Sequence, residues 1–256
     1  MNRGSWMAIA IAVVVVLGGG RSRAATIHEW HTLAAAPGQL AAVHARLRDR
    51  VLPALDGRGL RTLAVFTPVG DNPDRLVHLV VERGLDDSGP AGADLLADVA
   101  EWQSLLADVE GIPAPAAPRG VQRLRTTSWS PPPAAGIGTA ARVFELRTYT
   151  CPDAAKRTAL LGRFEHHTLA LFEKHGMTNV IYWTPDGGAD ADTKLVYLLA
   201  HASTAAAKES FDAFRKDPDW IAAKAASETA AGGSLTTREK GVVSEFLAPA
   251  DYSPLR

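Results

Sequence analysis

Between residues 143 and 250 the hydrophobic pattern of the chain changes period four times. Val143 to Thr150, V-F-E-L-R-T-Y-T, alternates apolar and polar residues, the period of two that a β-strand requires. Pro152 and Asp153 then open a segment in which Leu160, Phe164 and Leu171 recur at helical spacing, with Leu161, Thr168 and Phe172 beside them. The spacing predicts a helix to about Lys174, stopped by Gly176, with Lys174 and His175 where the helix dipole favours cations. Val180 to Thr184 and Leu195 to His201 read as strands around a turn-rich segment. Ala205 to about Ser227 is helical with a break near Asp217-Pro218, and Gly241 to Leu247 is a last strand. The order βαββαβ is that of a split βαβ, or ferredoxin-like, unit.

A weaker copy of this order lies about 117 residues earlier. Its predicted elements are Thr26–Leu33, Gln39–Leu55, Leu60–Thr67, Leu76–Glu82, Ala93–Asp108 and Val121–Thr127. Glu29 matches Glu145, Thr32 matches Thr148, Gly59 matches Gly176, Thr67-Pro68 matches Thr184-Pro185, and Trp102 matches Trp220. Trp129-Ser130-Pro131 likewise parallels Tyr252-Ser253-Pro254. A self-match at a nearly fixed offset means a duplicated unit. The chain therefore divides into units at 25–129 and 141–256, joined by a Pro/Gly-rich linker at 130–140 that can continue neither strand nor helix.

The first 24 residues fall outside this scheme. Arg3 precedes an apolar run from Trp6 to Leu17, three glycines follow, and Ser22-Arg23-Ala24 offers the small residues of a cleavage site. The pattern is that of a secretory signal, with cleavage after Ala24 and a periplasmic or extracellular mature protein. The alternative is an uncleaved N-terminal membrane anchor. After cleavage no stable membrane span is expected. Charge is nearly balanced, 27 basic against 28 acidic residues, so a nucleic-acid partner is not expected. The single cysteine, Cys151, permits no internal disulfide and reads as an inert thiol.

Few motifs for chemistry survive inspection. Gly136-x-Gly138-x-x-Ala141 fits a dinucleotide pattern but follows a proline linker rather than a strand. His28 and His31 are three apart on a strand and so point to opposite faces, which excludes a shared metal ion. Glu145, Arg147 and Tyr149 share one strand face. Such a row is ordinarily the solvent face, whereas in a closed sheet its arginine becomes an anion anchor. His167 falls on the apolar stripe of its helix and His175 at the helix end, where it would cap carbonyls. Trp183 and Tyr197, on neighbouring strands, could form an aromatic wall.

Five segments together resemble the NIPSNAP family. They are E-L-R-T-Y-T at Glu145–Thr150, R-F-E-H-H-T at Arg163–Thr168, L-F-E-K-H-G-M at Leu171–Met177, F-x-x-F-R-K-D-P-x-W at Phe211–Trp220, and D-Y-S-P at Asp251–Pro254. The resemblance implies an α+β fold in which two ferredoxin-like units join sheets as a barrel, here an intrachain pseudo-dimer whose minimum unit is a monomer. It implies no established catalysis, and Cys151-Pro152-Asp153 departs from the family's more usual Pro-Gly at that point. The first half replaces Arg147 with His31, Tyr149 with Leu33, His167 with Arg50, His175 with Arg58, and Trp183 with Phe66. A ligand site built from Arg147, Tyr149, His167, His175 and Trp183 would thus occur once per chain. The reading is of an exported protein that binds a small, anionic ligand or a protein partner, with no metal and no cofactor. Two alternatives stand beside it: a haem-handling or cofactor-free monooxygenase-like enzyme, as in related barrels, and a purely structural interaction module.

Overall fold

The computed structural model describes residues 25–72, 75–83, 116–133 and 142–256. The first unit supplies β1 (Ile27–Ala34), α1 (40–56), β2 (Arg61–Pro68), β3 (Leu76–Glu82) and β4 (Ala116–Thr126). The second supplies β5 (Val143–Thr150), α2 (154–174), β6 (Thr178–Pro185), β7 (Lys194–His201), α3 (Thr204–Phe214), α4 (Pro218–Ala230) and β8 (Val242–Pro249). The expected helix at Ala93–Asp108, the segment 1–24 and the GxGxxA stretch lie outside the described residues. β4 begins five residues before its expected start.

The strands close into one barrel, in the order β1-β3-β2-β8-β5-β7-β6-β4. Every neighbouring pair is antiparallel. Each unit keeps its four strands adjacent with its own first and third strands central, and the two seams join the units edge to edge. At one seam Phe66, Thr67 and Pro68 face Pro249, Ala248 and Leu247. At the other, Trp183, Thr184 and Pro185 face Thr126, Arg125 and Leu124. These sets are repeat-equivalent, so the barrel has an internal two-fold. Ser130 Oγ accepts the Tyr182 N–H and Ser253 Oγ accepts the Val65 N–H, each at 3.0 Å, which ties each unit to the segment leaving the other. Closure leaves no free sheet edge, the feature that otherwise invites aggregation.

Three apolar clusters follow from the alternation of the strands. Trp30, Phe66, Phe144, Trp183, Leu198 and Leu247 belong to the cluster that fills the barrel interior. Leu33, Val65 and Leu79 pack outward under α1, while Leu195, Tyr197 and Leu199 pack outward under the helices of the second unit. The central strands are therefore buried on both faces, whereas β8 leaves Val242 and Val243 exposed. The two long helices also match: each contains one π-turn, at Leu47–Val51 in α1 and Phe164–Thr168 in α2.

Candidate functional site

Closure settles the charged row on β5. Glu145, Arg147 and Tyr149 face outward, but beneath helices rather than solvent, which corrects the solvent-face reading. Glu145 is 2% exposed and takes Arg147 Nη1 at 2.5 Å and His201 Nε2 at 3.1 Å. Burial pushes the Glu145 carboxyl up, yet His201 and Arg147 outweigh it and hold the group below its ordinary value. The Arg147 guanidinium lies 4.4 Å above the Phe211 ring of α3. The first unit repeats this cluster with its cations exchanged. Glu29 binds His31 at 3.0 Å, in the place of Arg147, and Arg83 at 2.5 Å, in the place of His201. One buried glutamate, one arginine and one histidine thus recur in both halves, as expected of a structural element. Tyr149 packs against Phe164 and Tyr197 in the same layer.

The other three expected site residues go elsewhere. Trp183 points into the barrel, on the opposite face from Arg147. Tyr182 rather than Trp183 stacks on Tyr197, with ring centroids 5.1 Å apart, which corrects the expected aromatic wall. His167 is exposed, not on the buried stripe. The π-turn adds one residue to the turn, so Thr168 takes the buried position and donates its hydroxyl to the Arg163 carbonyl at 3.1 Å. His175 does not cap its own helix through its side chain. Its Nε2 meets Asp217, the N-cap of α4, at 2.7 Å. Together with Lys174, it holds Asp217 well below the usual carboxylate range. Cys151 is buried, and that burial pushes its thiol up to about 11, in keeping with an inert group. The five residues therefore line no common cavity.

Two other places gather polar groups or open space. Between α2 and α4 runs a groove of 540 Å³ lined by His166, His167, Leu171, Asp219, Ala222 and Ala226. Inside the barrel, two tryptophans each donate to an imidazole. Trp183 Nε1 bonds His28 Nδ1 at 3.2 Å, and Trp30 Nε1 bonds His78 Nδ1 at 3.1 Å, where the Thr32 hydroxyl also converges. The two indoles meet edge to face at 6.3 Å. Beyond the imidazoles stand Glu82, 3.6 Å from His28 Nε2, and Glu245, 3.5 Å from His78 Nε2. These four groups lie on strands from opposite ends of the barrel, so a polar line threads its apolar core.

Sequence reasoning missed this line because it looked for polar residues in the better-preserved half. Register equates His28 with Phe144, His78 with Val196 and Glu82 with Ala200. The signal was present as apolar-to-polar exchanges at positions of interior parity in the first unit.

The residues present do not fit haem. The barrel interior is packed by Trp30, Trp183, Phe66 and Phe144, and both interior histidines accept an indole N–H at Nδ1, which leaves the proton on Nε2 and no free lone pair for iron. His175 is bound to Asp217 and lies apart from His167. Among the described residues no group of three or more His, Cys, Asp or Glu could hold a metal ion, and no helix is long and apolar enough to cross a membrane.

An eight-stranded barrel of two joined ferredoxin-like units defines the dimeric α+β barrel class, here within one chain. Within that class the NIPSNAP family model matches residues 144–254, which lie in the second unit. Among solved structures, an anthrone oxidase-like protein is 10% identical, with a TM-score of 0.55 over 88% of this chain and 91% of its own. A candidate monooxygenase from Fusobacterium nucleatum is also 10% identical, with a TM-score of 0.54 over 88% of this chain and 93% of its own. A NIPSNAP-like domain protein from Burkholderia xenovorans is 18% identical, with a TM-score of 0.37 over 44% of this chain and 90% of its own. No curated protein matches the chain. At these identities the likenesses show the fold alone.

Proposed function

We propose that this protein is exported and acts as a non-catalytic binding protein, seating a small amphipathic anion in the groove between α2 and α4. The observation that carries the reading is the groove itself. It is open, lies within the residues that the NIPSNAP family model matches, and combines an apolar alanine floor with two imidazoles that offer N–H donors to an anionic head. Arg147, the other expected anion anchor, is taken up by Glu145 and Phe211 and has a structural part. The fold is shared with proteins named for oxidation chemistry, but fold alone assigns no reaction.

The test is titration of the mature chain, beginning at Ala25, with the fluorescent amphipathic anion anilinonaphthalene sulfonate. Ala222→Trp, which fills the groove, and His167→Ala should each weaken binding at least tenfold with little change in Tm. Arg147→Ala should do the reverse. It leaves Glu145 buried without its arginine, at a cost of about 3–5 kcal/mol, and spares affinity. Equal binding by wild type and Ala222→Trp would rule out the groove. N-terminal sequencing of secreted material checks the export arm, and an intact Met1 on a membrane-bound product would reject cleavage.

A further inference from the structure

The repeat provides an internal control for the barrel interior, because each position has a counterpart in the other unit. At the end of the barrel where β1 begins, a small enclosed space is lined by Thr26, His28, Glu82, Thr126, Thr127 and Ser130, among others. Four of these have apolar counterparts across the two-fold: His28 with Phe144, Glu82 with Ala200, Thr126 with Pro249, and Thr127 with Ala250. Packing constraint alone tends to exchange apolar residues for apolar ones. Four polar residues converging on one space at one seam, and not at the other, mark a built polar site.

The hydrogen-bond inventory says what the site takes. An indole N–H is a donor only, so His28 Nδ1, facing Trp183 Nε1, must accept, and the neutral imidazole carries its proton on Nε2. That N–H is buried, in a residue 1% exposed, and has no hydrogen-bond partner among the described residues. Glu82 stands 3.6 Å away, too long for a direct hydrogen bond but near enough for the imidazole to favour its charged form, and its carboxylate is also engaged by Arg61. Thr127 Oγ1 is buried and likewise has no hydrogen-bond partner among the described residues. Thr126 is not available, since its hydroxyl accepts the Thr26 N–H at 2.8 Å. The space therefore presents one imidazole donor, one hydroxyl of either sense and one carboxylate acceptor. Its water-accessible volume is 20 Å³, enough for one water and too small for a larger ligand.

We propose that this end of the barrel is a binding site for a single ordered water, which accepts from His28 Nε2–H, donates to Glu82 and pairs with Thr127 Oγ1. The water completes a hydrogen-bonded chain from Arg61 and Glu82 at the rim, through His28, to Trp183 in the core. Two buried polar groups that would otherwise go unpaired are satisfied in the process. The site is independent of the groove between α2 and α4, so either can fail without the other.

Three measurements on the full mature chain test it. Water-to-protein cross-relaxation by NMR should show a long-lived water at the His28 ring, and nitrogen shifts should place the His28 proton on Nε2. In Thr127→Val, which removes the hydroxyl at nearly constant shape, the water signal should fall and Tm drop by about 3 °C, as expected for one buried group left unsatisfied in a chain of this size. A dry site in the wild type, a His28 proton on Nδ1, or a Thr127→Val protein with unchanged water signal and Tm would each overturn the proposal. Because the first two readouts need no variant, a misfolded substitution does not leave it untested.

Discussion

At the scale of single residues, the chain places its buried charges in small, self-contained groups. Glu29 and Glu145 are each neutralised by one arginine and one histidine, whose places are exchanged between the units. Such an exchange keeps the charge count of the cluster while altering both neighbours, so neither cation can be replaced alone without cost. Glu82 is the clearest titration probe. His28 and Arg61 outweigh its partial burial and hold it down to about 2. A carboxyl with a folded pKa below its unfolded value binds fewer protons in the folded state, so stability rises with pH across the interval between them. The contribution is whole above about 4.5 and is lost as pH falls toward 2. Urea unfolding of Glu82→Gln should therefore show a shallower loss of stability than wild type between pH 4.5 and 2. A parallel pair of curves would mean that Glu82 is not the group responsible.

At the scale of elements, the two π-turns explain why the helical wheel misplaced His167. A regular helix puts residues 160, 164, 167 and 171 on one stripe. One extra residue within Phe164–Thr168 lets the segments before and after keep their buried faces while His166 and His167 swing outward. Periodicity counted from sequence carries no mark of such an insertion, because the apolar residues on either side still recur at three and four. The turn's recurrence in α1 shows it is a property of the duplicated unit. Deleting His167 should restore a continuous α-helix with both flanking faces in place. Deleting Ala159, in the regular part of α2, must rotate one face out of the core. Thermal denaturation should find the first deletion milder by about 2 kcal/mol or more, on the scale of one mispacked core side chain. If both deletions lower Tm alike, the π-turn is not an inserted residue.

At the scale of the whole molecule, tandem duplication converts an association into a fold. The seams β2–β8 and β4–β6 bury edges that a single unit would expose, and linkage within one chain avoids roughly 4–15 kcal/mol of lost translational and rotational freedom. The second unit alone, residues 142–256, would carry open edges at β6 and β8 and an uncovered apolar face including Phe144, Trp183 and Leu198. It should pair with a second copy in the inherited register, Trp183 against Pro249 of the other copy, or aggregate. Sedimentation of that fragment checks this, and a stable, soluble monomer would refute the shared-sheet account.

The duplication, the βαββαβ order of the second unit and most limits of the described elements were legible in the sequence, because each rests on local periodicity and on turn residues such as Gly176, which adopts a φ of 76°. Parity along β1 also separated His28 from His31 correctly. What alternation could not say is which face looks into the barrel, since the central strands β3 and β7 are buried on both faces. Tertiary structure alone decided that Arg147 lies under a helix, that Trp183 meets His28 across a seam 155 residues apart in sequence, and that the half which departs from the family pattern supplies the interior histidines. Local sequence fixes the faces of each strand; only the closing of the sheet assigns them an inside and an outside.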